Sequence, residues 1–114
     1  MTETRPQDLV SHIKQAALDA QSFVTDTDRE QFGSDKKSQQ AVIYSLLIVG
    51  EAATKIMDRY PEFALANSHI PWRSMRGMRN RFAHGYFDIN LNVVWDTVQN
   101  ALPKLLLQIE DTPE

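Results

Sequence analysis

The chain contains no cysteine. That absence excludes a disulfide framework, a thiolate nucleophile and any zinc site built on sulfur, and it fits a reducing compartment. The basic-then-apolar layout of a secretory signal is also missing from the opening "MTETRPQDLV". The longest apolar run, "AVIYSLLIVGEAA", is too short to cross a bilayer and contains Glu51. A cytoplasmic location without membrane attachment is therefore expected. No stretch alternates apolar and polar residues as a half-buried strand would, and there is no internal repeat, low-complexity tract or dividing linker. With 114 residues, 42% hydrophobic and 24% charged, the chain has the globular balance and the length for one core, which makes residues 1–114 a single domain.

One segment lacks acidic residues altogether. Residues 71–86, "PWRSMRGMRNRFAHGY", carry Arg73, Arg76, Arg79 and Arg81 and no carboxylate, a local charge of +4 within a chain of net charge −3. The remaining residues sum to −7. A confined positive patch on a negative body suits one localised anionic ligand better than a long duplex. The competing reading is a solvated, arginine-rich helix face.

Periodicity near 3.6 residues runs through the chain, and the expected architecture is all-α, an antiparallel four-helix bundle. A first helix is expected from Pro6 to about Thr25, with Leu9, Ile13, Ala16, Ala20 and Phe23 on its apolar stripe and a Thr4–Gln7 capping box. The stretch "TDTDREQFGS" reads as a polar loop. A second helix is expected from an N-cap at Ser34, followed by Asp35, to Tyr60 before Pro61. Residues 41–53 of this helix are apolar nearly all round, which asks for a second partner surface, most simply another copy of the chain. The third helix should run from Pro71 to His84–Gly85. The fourth, from about Asn90, carries Leu91, Val94, Trp95, Val98, Leu102, Leu105, Leu106 and Ile109, with Pro103 kinking it.

Within "RNRFAHGY", Arg79 and His84 lie five residues apart, about 140° around an ideal helix. Two arrangements could bring them to one substrate: unwinding of the helix before His84, helped by Gly85, or a dimer that places both copies of the motif in one cleft. For an RNA ligand, cleavage by the 2′-hydroxyl needs a base, an acid and positive charge on the phosphorane. Histidine supplies the first two near neutrality and arginine the third through its planar fork. Asn80 could orient a phosphate or the imidazole, Tyr86 could donate a hydrogen bond, and Arg73, Arg76 and Arg81 could hold further phosphates. No metal or other cofactor is called for.

Each residue also has a plainer role open to it. His84 could interact with the last carbonyls of its helix, Arg79 could pair with Glu51, and Tyr86 could be a core ring with its hydroxyl at the surface. His12 and His69 have no metal-ligand spacing with another histidine and are assigned no role.

The motif "RNRFAHGY" resembles the R-x4-6-H-x-Y motif of the HepT toxins, a branch of the HEPN (higher eukaryote and prokaryote nucleotide-binding) superfamily. "LLIVGEAATKI" is similar to the family's second-helix segment, "IPWRSMRGMRN" to the start of its third helix, and "VWDTVQNALPKLL" to its fourth, proline included. The resemblance covers nearly the whole chain, most densely from 41 to 107. It implies the HEPN bundle, a homodimer with both motifs facing a shared cleft, and a metal-independent endoribonuclease leaving 2′,3′-cyclic phosphate ends. By position it implies that Arg79 and His84 are the catalytic pair, supported by Asn80 and by Glu51, the second-helix acid. It further implies that Tyr86 is the residue that an MntA-like minimal nucleotidyltransferase antitoxin modifies with AMP. A non-catalytic subunit that binds a nucleotide or docks a nucleotidyltransferase is the other function compatible with the same features.

Overall fold

The computed structural model describes residues 4–110; residues 1–3 and 111–114, the ends of the expected single domain, lie outside them. The described chain is helical, with no strand. Its elements are α1 (Pro6–Ser22), α2 (Arg29–Ser34), α3 (Lys36–Arg59), α4 (Pro61–Ala66), α5 (Trp72–His84), a 3₁₀ turn (Tyr86–Asp88), α6 (Leu91–Asp96), a π turn (Thr97–Ala101) and α7 (Leu102–Glu110). Helix α3, about 36 Å long at 1.5 Å per residue, sets the 42 Å long axis of the molecule. It is the central element, packed against α1 on one side and α5 on the other, while α7 lies on α1.

Small residues let α1 approach α3 closely: Ala16, Ala17 and Ala20 are buried beside Leu9 and Ile13. Phe23, expected on this stripe, is exposed, and Val24 takes the core position instead because the helix ends at Ser22 and the turn swings the next side chain inward. The expected Thr4–Gln7 box is replaced by one centred on Arg5. Asp8 accepts from the Arg5 backbone N–H at 3.2 Å and from its guanidinium at 3.1 Å. The Arg5 hydrogen bond accordingly holds the exposed Asp8 carboxyl below its ordinary pKa.

The stretch expected as a polar loop contains α2. Asp28 caps it by accepting from the Gln31 N–H at 2.8 Å, and Gln31 returns the bond to the Asp28 N–H at 3.0 Å. The helix exists to seat one residue, Phe32, which is fully buried and meets Trp95 with ring centroids 5.5 Å apart. The cap of α3 is Asp35 rather than Ser34, because α2 continues through Ser34 and the Asp35 carboxylate accepts from Ser38.

Helix α3 ends at Arg59 before Pro61, as expected, and Pro61 at once opens the short, unanticipated α4. The indole of Trp72 locks α4 to the start of α5, donating to the carbonyls of Ala64 at 3.1 Å and Asn67 at 3.2 Å. Both carbonyls keep a second donor, from the Asn67 and Ile70 N–H groups. Replacing Trp72 by Phe should therefore cost only about 1 kcal/mol in a denaturant titration, the net worth of one hydrogen bond. A loss several times larger would mean that the indole's bulk, not its N–H, holds α4.

The last helix buries Val94, Val98, Leu102, Leu105 and Ile109, with Leu91, Trp95 and Leu106 half-buried on the same stripe. The distortion expected from Pro103 takes the form of the π turn, in which the Leu102 N–H reaches back five residues to the Thr97 carbonyl. By length and composition α3 could cross a membrane, but Val42, Leu46, Val49, Ala53 and Ile56 on it face the protein core.

Candidate active site

Helix α5 carries the motif, and its phase is set by Trp72, Met75, Met78 and Phe82, which are all buried. That phase puts Arg79 at the edge of the core, directly against α3. The approach there is close because residue 50 is glycine: an added Cβ would lie 2.3 Å from the Arg79 Cβ and 2.7 Å from the Met75 carbonyl oxygen. The stem of Arg79 is thus fixed by backbone, and its head is fixed by α3. Its Nη2 donates to the Thr54 hydroxyl at 3.2 Å, and that hydroxyl donates to the Gly50 carbonyl at 2.8 Å.

Glu51 also approaches Arg79, at 3.8 Å. The pair forms as the plainer reading foresaw, but at a distance too long for a hydrogen bond and with the carboxylate 53% exposed. Arg79 is 25% exposed, and its buried Nε has no partner in the described structure. A cation held this way can receive an anionic ligand without rearranging its own stem. The open side is a groove of about 430 Å³ between α1, α3 and α5, bordered by His12, Leu47, Ile48, Glu51, Lys55 and Arg79.

His84 is on a different groove. Helix α5 continues unbroken through His84, so the arrangement in which the helix unwinds before it does not occur. The imidazole is exposed and borders a groove of about 490 Å³ with Arg81, Phe82, Asp88, Ile89 and Val93. It makes no hydrogen bond or ion pair among the described residues, so its neighbouring carbonyls are not its partners; the Arg81 carbonyl is taken by the Gly85 N–H at 2.8 Å. Arg79 and His84 therefore share one rigid helix and do not meet within one chain.

The other arginines divide into two kinds. Arg76 is held by Asp58 at 2.5 Å and by the Thr54 carbonyl at 3.4 Å, which neutralises it from α3 and ties it down. Arg73 and Arg81 are exposed and have no carboxylate partner among the described residues. Asn80 is exposed beside them. Tyr86 is not a core ring: it is 63% exposed on the 3₁₀ turn, against Phe87. Among the described residues, no three His, Asp or Glu side chains gather where they could hold a metal ion.

A family model described as "Ribonuclease HepT-like" matches residues 13–112, which include all of α3 and α5. The chain belongs to the HepT-like ribonuclease family. A protein of Thermococcus cleftensis that carries the name "Probable ribonuclease HepT" is 36% identical over 99 residues, 87% of each chain. A protein of Methanocaldococcus jannaschii with an RNase name is 33% identical over 108 residues, 91% of this chain and 80% of its own. Another, from Caldanaerobacter subterraneus, is 30% identical over 106 residues, 93% of this chain and 92% of its own. No solved structure matches the chain.

In this HepT-like ribonuclease, the candidate site includes residues that the sequence did not advertise. Thr54 and Gly50 position Arg79, and His12 and Lys55 border the same groove although His12 was assigned no role. For His12 the missed signal was phase: it follows Leu9 by three positions and so sits on the shoulder of the α1 stripe. His69, by contrast, lies within 3.1 Å of the Gln108 carbonyl through its Nε2, on α7 and away from both grooves.

Proposed function

We propose that this HepT-like protein is a cytoplasmic, metal-independent endoribonuclease that acts as a homodimer, the toxin of a toxin–antitoxin pair. The observation that carries the reading is the placement of Arg79. It is clamped against α3 at the inner end of an incompletely buried stripe formed by Tyr44, Leu47 and Ile48. A two-fold partner laid on that stripe would cover apolar surface and bring a second motif toward the first, so that Arg79 of one protomer and His84 of its partner face one phosphate.

In that cleft His84 takes the proton of a ribose 2′-hydroxyl, and the 2′-oxygen attacks phosphorus. The bond to the 5′-oxygen breaks, that oxygen takes up the proton that His84 has accepted, directly or through a water, and a 2′,3′-cyclic phosphate remains. Arg79 holds the charge that gathers on the non-bridging oxygens. Asn80 orients the phosphate, Glu51 steadies Arg79, and Arg73 and Arg81 meet flanking phosphates. Arg76, already held by Asp58, contributes less than these.

Silencing follows from exposure. Tyr86 offers its hydroxyl to a minimal nucleotidyltransferase of the MntA type, which transfers AMP from ATP to the phenolic oxygen and releases pyrophosphate. The bulky anion then occupies the patch that RNA phosphates would use.

The test is RNA cleavage by purified protein in EDTA, with intact mass confirming an unmodified Tyr86 and the ends of the fragments determined. Cyclic-phosphate ends in EDTA are expected. If single-stranded, tRNA and mRNA substrates all survive while a nucleotide binds tightly, the chain is instead a non-catalytic nucleotide-binding subunit.

A further inference from the structure

Phe87 is 93% exposed, the most exposed of the large apolar side chains in the described structure. A single exposed apolar residue is ordinary, but this one has company. The Tyr86 ring lies against it with centroids 4.8 Å apart and planes tilted by 50°, so two aromatic faces stand in water on one turn. That turn is short and tied down: the Asp88 N–H donates to the Gly85 carbonyl at 2.9 Å, immediately after α5 ends at His84. Only two residues separate His84 from Phe87, which limits their Cα atoms to roughly 10 Å apart.

The groove of about 490 Å³ beside this turn has an apolar floor of Phe82, Ile89 and Val93, with His84 and the unpaired Arg81 on its rim. Its size falls in the range of small-molecule sites, and an apolar floor with a cationic rim is the chemistry of a base attached to a phosphate. Asp88 is the acid at its edge, placed to accept from an exocyclic amine of a base rather than to meet a phosphate.

We infer that Phe87, on the turn beside this groove, is the positioning residue on which one unpaired RNA base flanking the scissile phosphate stacks, while the groove itself, which Phe87 does not line, offers His84 and Arg81 to the adjoining nucleotide. The inference rests on the ribonuclease reading above. Stacking on an exposed ring tolerates any base identity, and it needs an unpaired strand, because a base inside a duplex has no free face. Phe87 does not touch the reacting atoms; it sets the register of the strand over His84.

The experiment uses the full-length protein with wild-type, Phe87→Ala and Phe87→Trp sequences. Binding is followed with a short RNA that carries a 2′-O-methyl group at each ribose and 2-aminopurine at one position, so that affinity is read without turnover. Cleavage is followed on the unmodified RNA. Phe87→Ala should weaken binding about tenfold or more, the range for loss of one base–aromatic stack. It should also raise KM with kcat little changed and abolish the quenching of 2-aminopurine. Phe87→Trp should restore all three. Because Phe87 packs against so little of the protein, the circular dichroism of the variants should match wild type.

Wild-type cleavage with unchanged affinity and quenching in Phe87→Ala would overturn the subsite and leave the ribonuclease reading intact. Unchanged RNA affinity with a loss of dimer mass in Phe87→Ala would also overturn it, making Phe87 a protein contact. Absence of cleavage in the wild type would strike the ribonuclease reading itself, and quenching restored by tryptophan would then still support a base-stacking site.

Discussion

Mixing Arg79→Ala subunits with His84→Ala subunits should restore RNA cleavage that neither variant shows alone. Each single replacement removes a group acting in the transition state, so each should lower kcat by about 10²–10⁴-fold for the acid–base residue and about 10²–10³-fold for the electrostatic one. Neither should unfold the protein: His84 is exposed, and Arg79 gives up one hydrogen bond to Thr54 and a long contact to Glu51. The recovery follows from geometry. Helix α5 is continuous through His84, which points the two side chains at separate grooves of one chain. If a site takes Arg79 from one protomer and His84 from the other, a mixed dimer holds one doubly damaged site and one intact site. After random exchange, half of the dimers are mixed and the total rate should reach about a quarter of wild type. Subunit exchange would be checked by mass-tagging one variant. Verified exchange with no recovered activity would sink the shared cleft.

The second large effect should come from a residue that touches no substrate. Gly50→Ala should destabilise the protein by about 1–3 kcal/mol, the usual range for overpacking, and slow cleavage by one to two orders of magnitude. The added methyl would meet the Arg79 Cβ at 2.3 Å, the Met75 carbonyl at 2.7 Å and the Arg79 Cγ at 3.1 Å. None of these is the far end of a flexible side chain, so α5 itself must retreat from α3. The retreat carries the guanidinium away from Thr54, and a displacement of about 1 Å can cost on the order of 10² in rate. The backbone at Gly50 is ordinary helix, so the effect is steric and owes nothing to glycine's conformational freedom. Thermal unfolding and initial cleavage rates measured on one preparation decide the matter. Unchanged values for both would mean that the helices part without consequence.

How far the structure could be read from the residues depended on the range of the forces involved. The end of α3 before Pro61, the limits of α5 and the stripe of the last helix follow from local periodicity and from proline and glycine signals, and all were legible. Helix α2 was not, although its Asp28–Gln31 box is local. Its single buried residue, Phe32, gives no periodicity, and its reason to exist is Trp95, more than sixty positions away. Helix α4 escaped for the same reason, being held by the Trp72 indole. At the site, the motif itself was plain in the sequence. What holds Arg79 was not, because Gly50 and Thr54 act across the interface between two helices, where no spacing along the chain announces them. Asp58 likewise neutralises Arg76 from α3, so the local charge of "PWRSMRGMRNRFAHGY" overstates what a ligand would meet.

The π turn between α6 and α7 bears on how the chain can change over generations. Such a turn takes up one residue more than an α-helix would use, and here, at Thr97–Ala101, it directly precedes the turn of helix that holds Pro103, whose ring in an ordinary α-helix would press on the Gln99 carbonyl. The extra residue and the proline accommodate each other. Val94 before the turn, Val98 within it, and Leu105 and Ile109 beyond it all stay on the core face. The segment between Thr97 and Ala101 thus shows how this helix can absorb the gain of a single residue where it falls. The same change within Gly50–Thr54 would rotate the clamp off Arg79, so descent should permit length variation in the last helix and forbid it in the third.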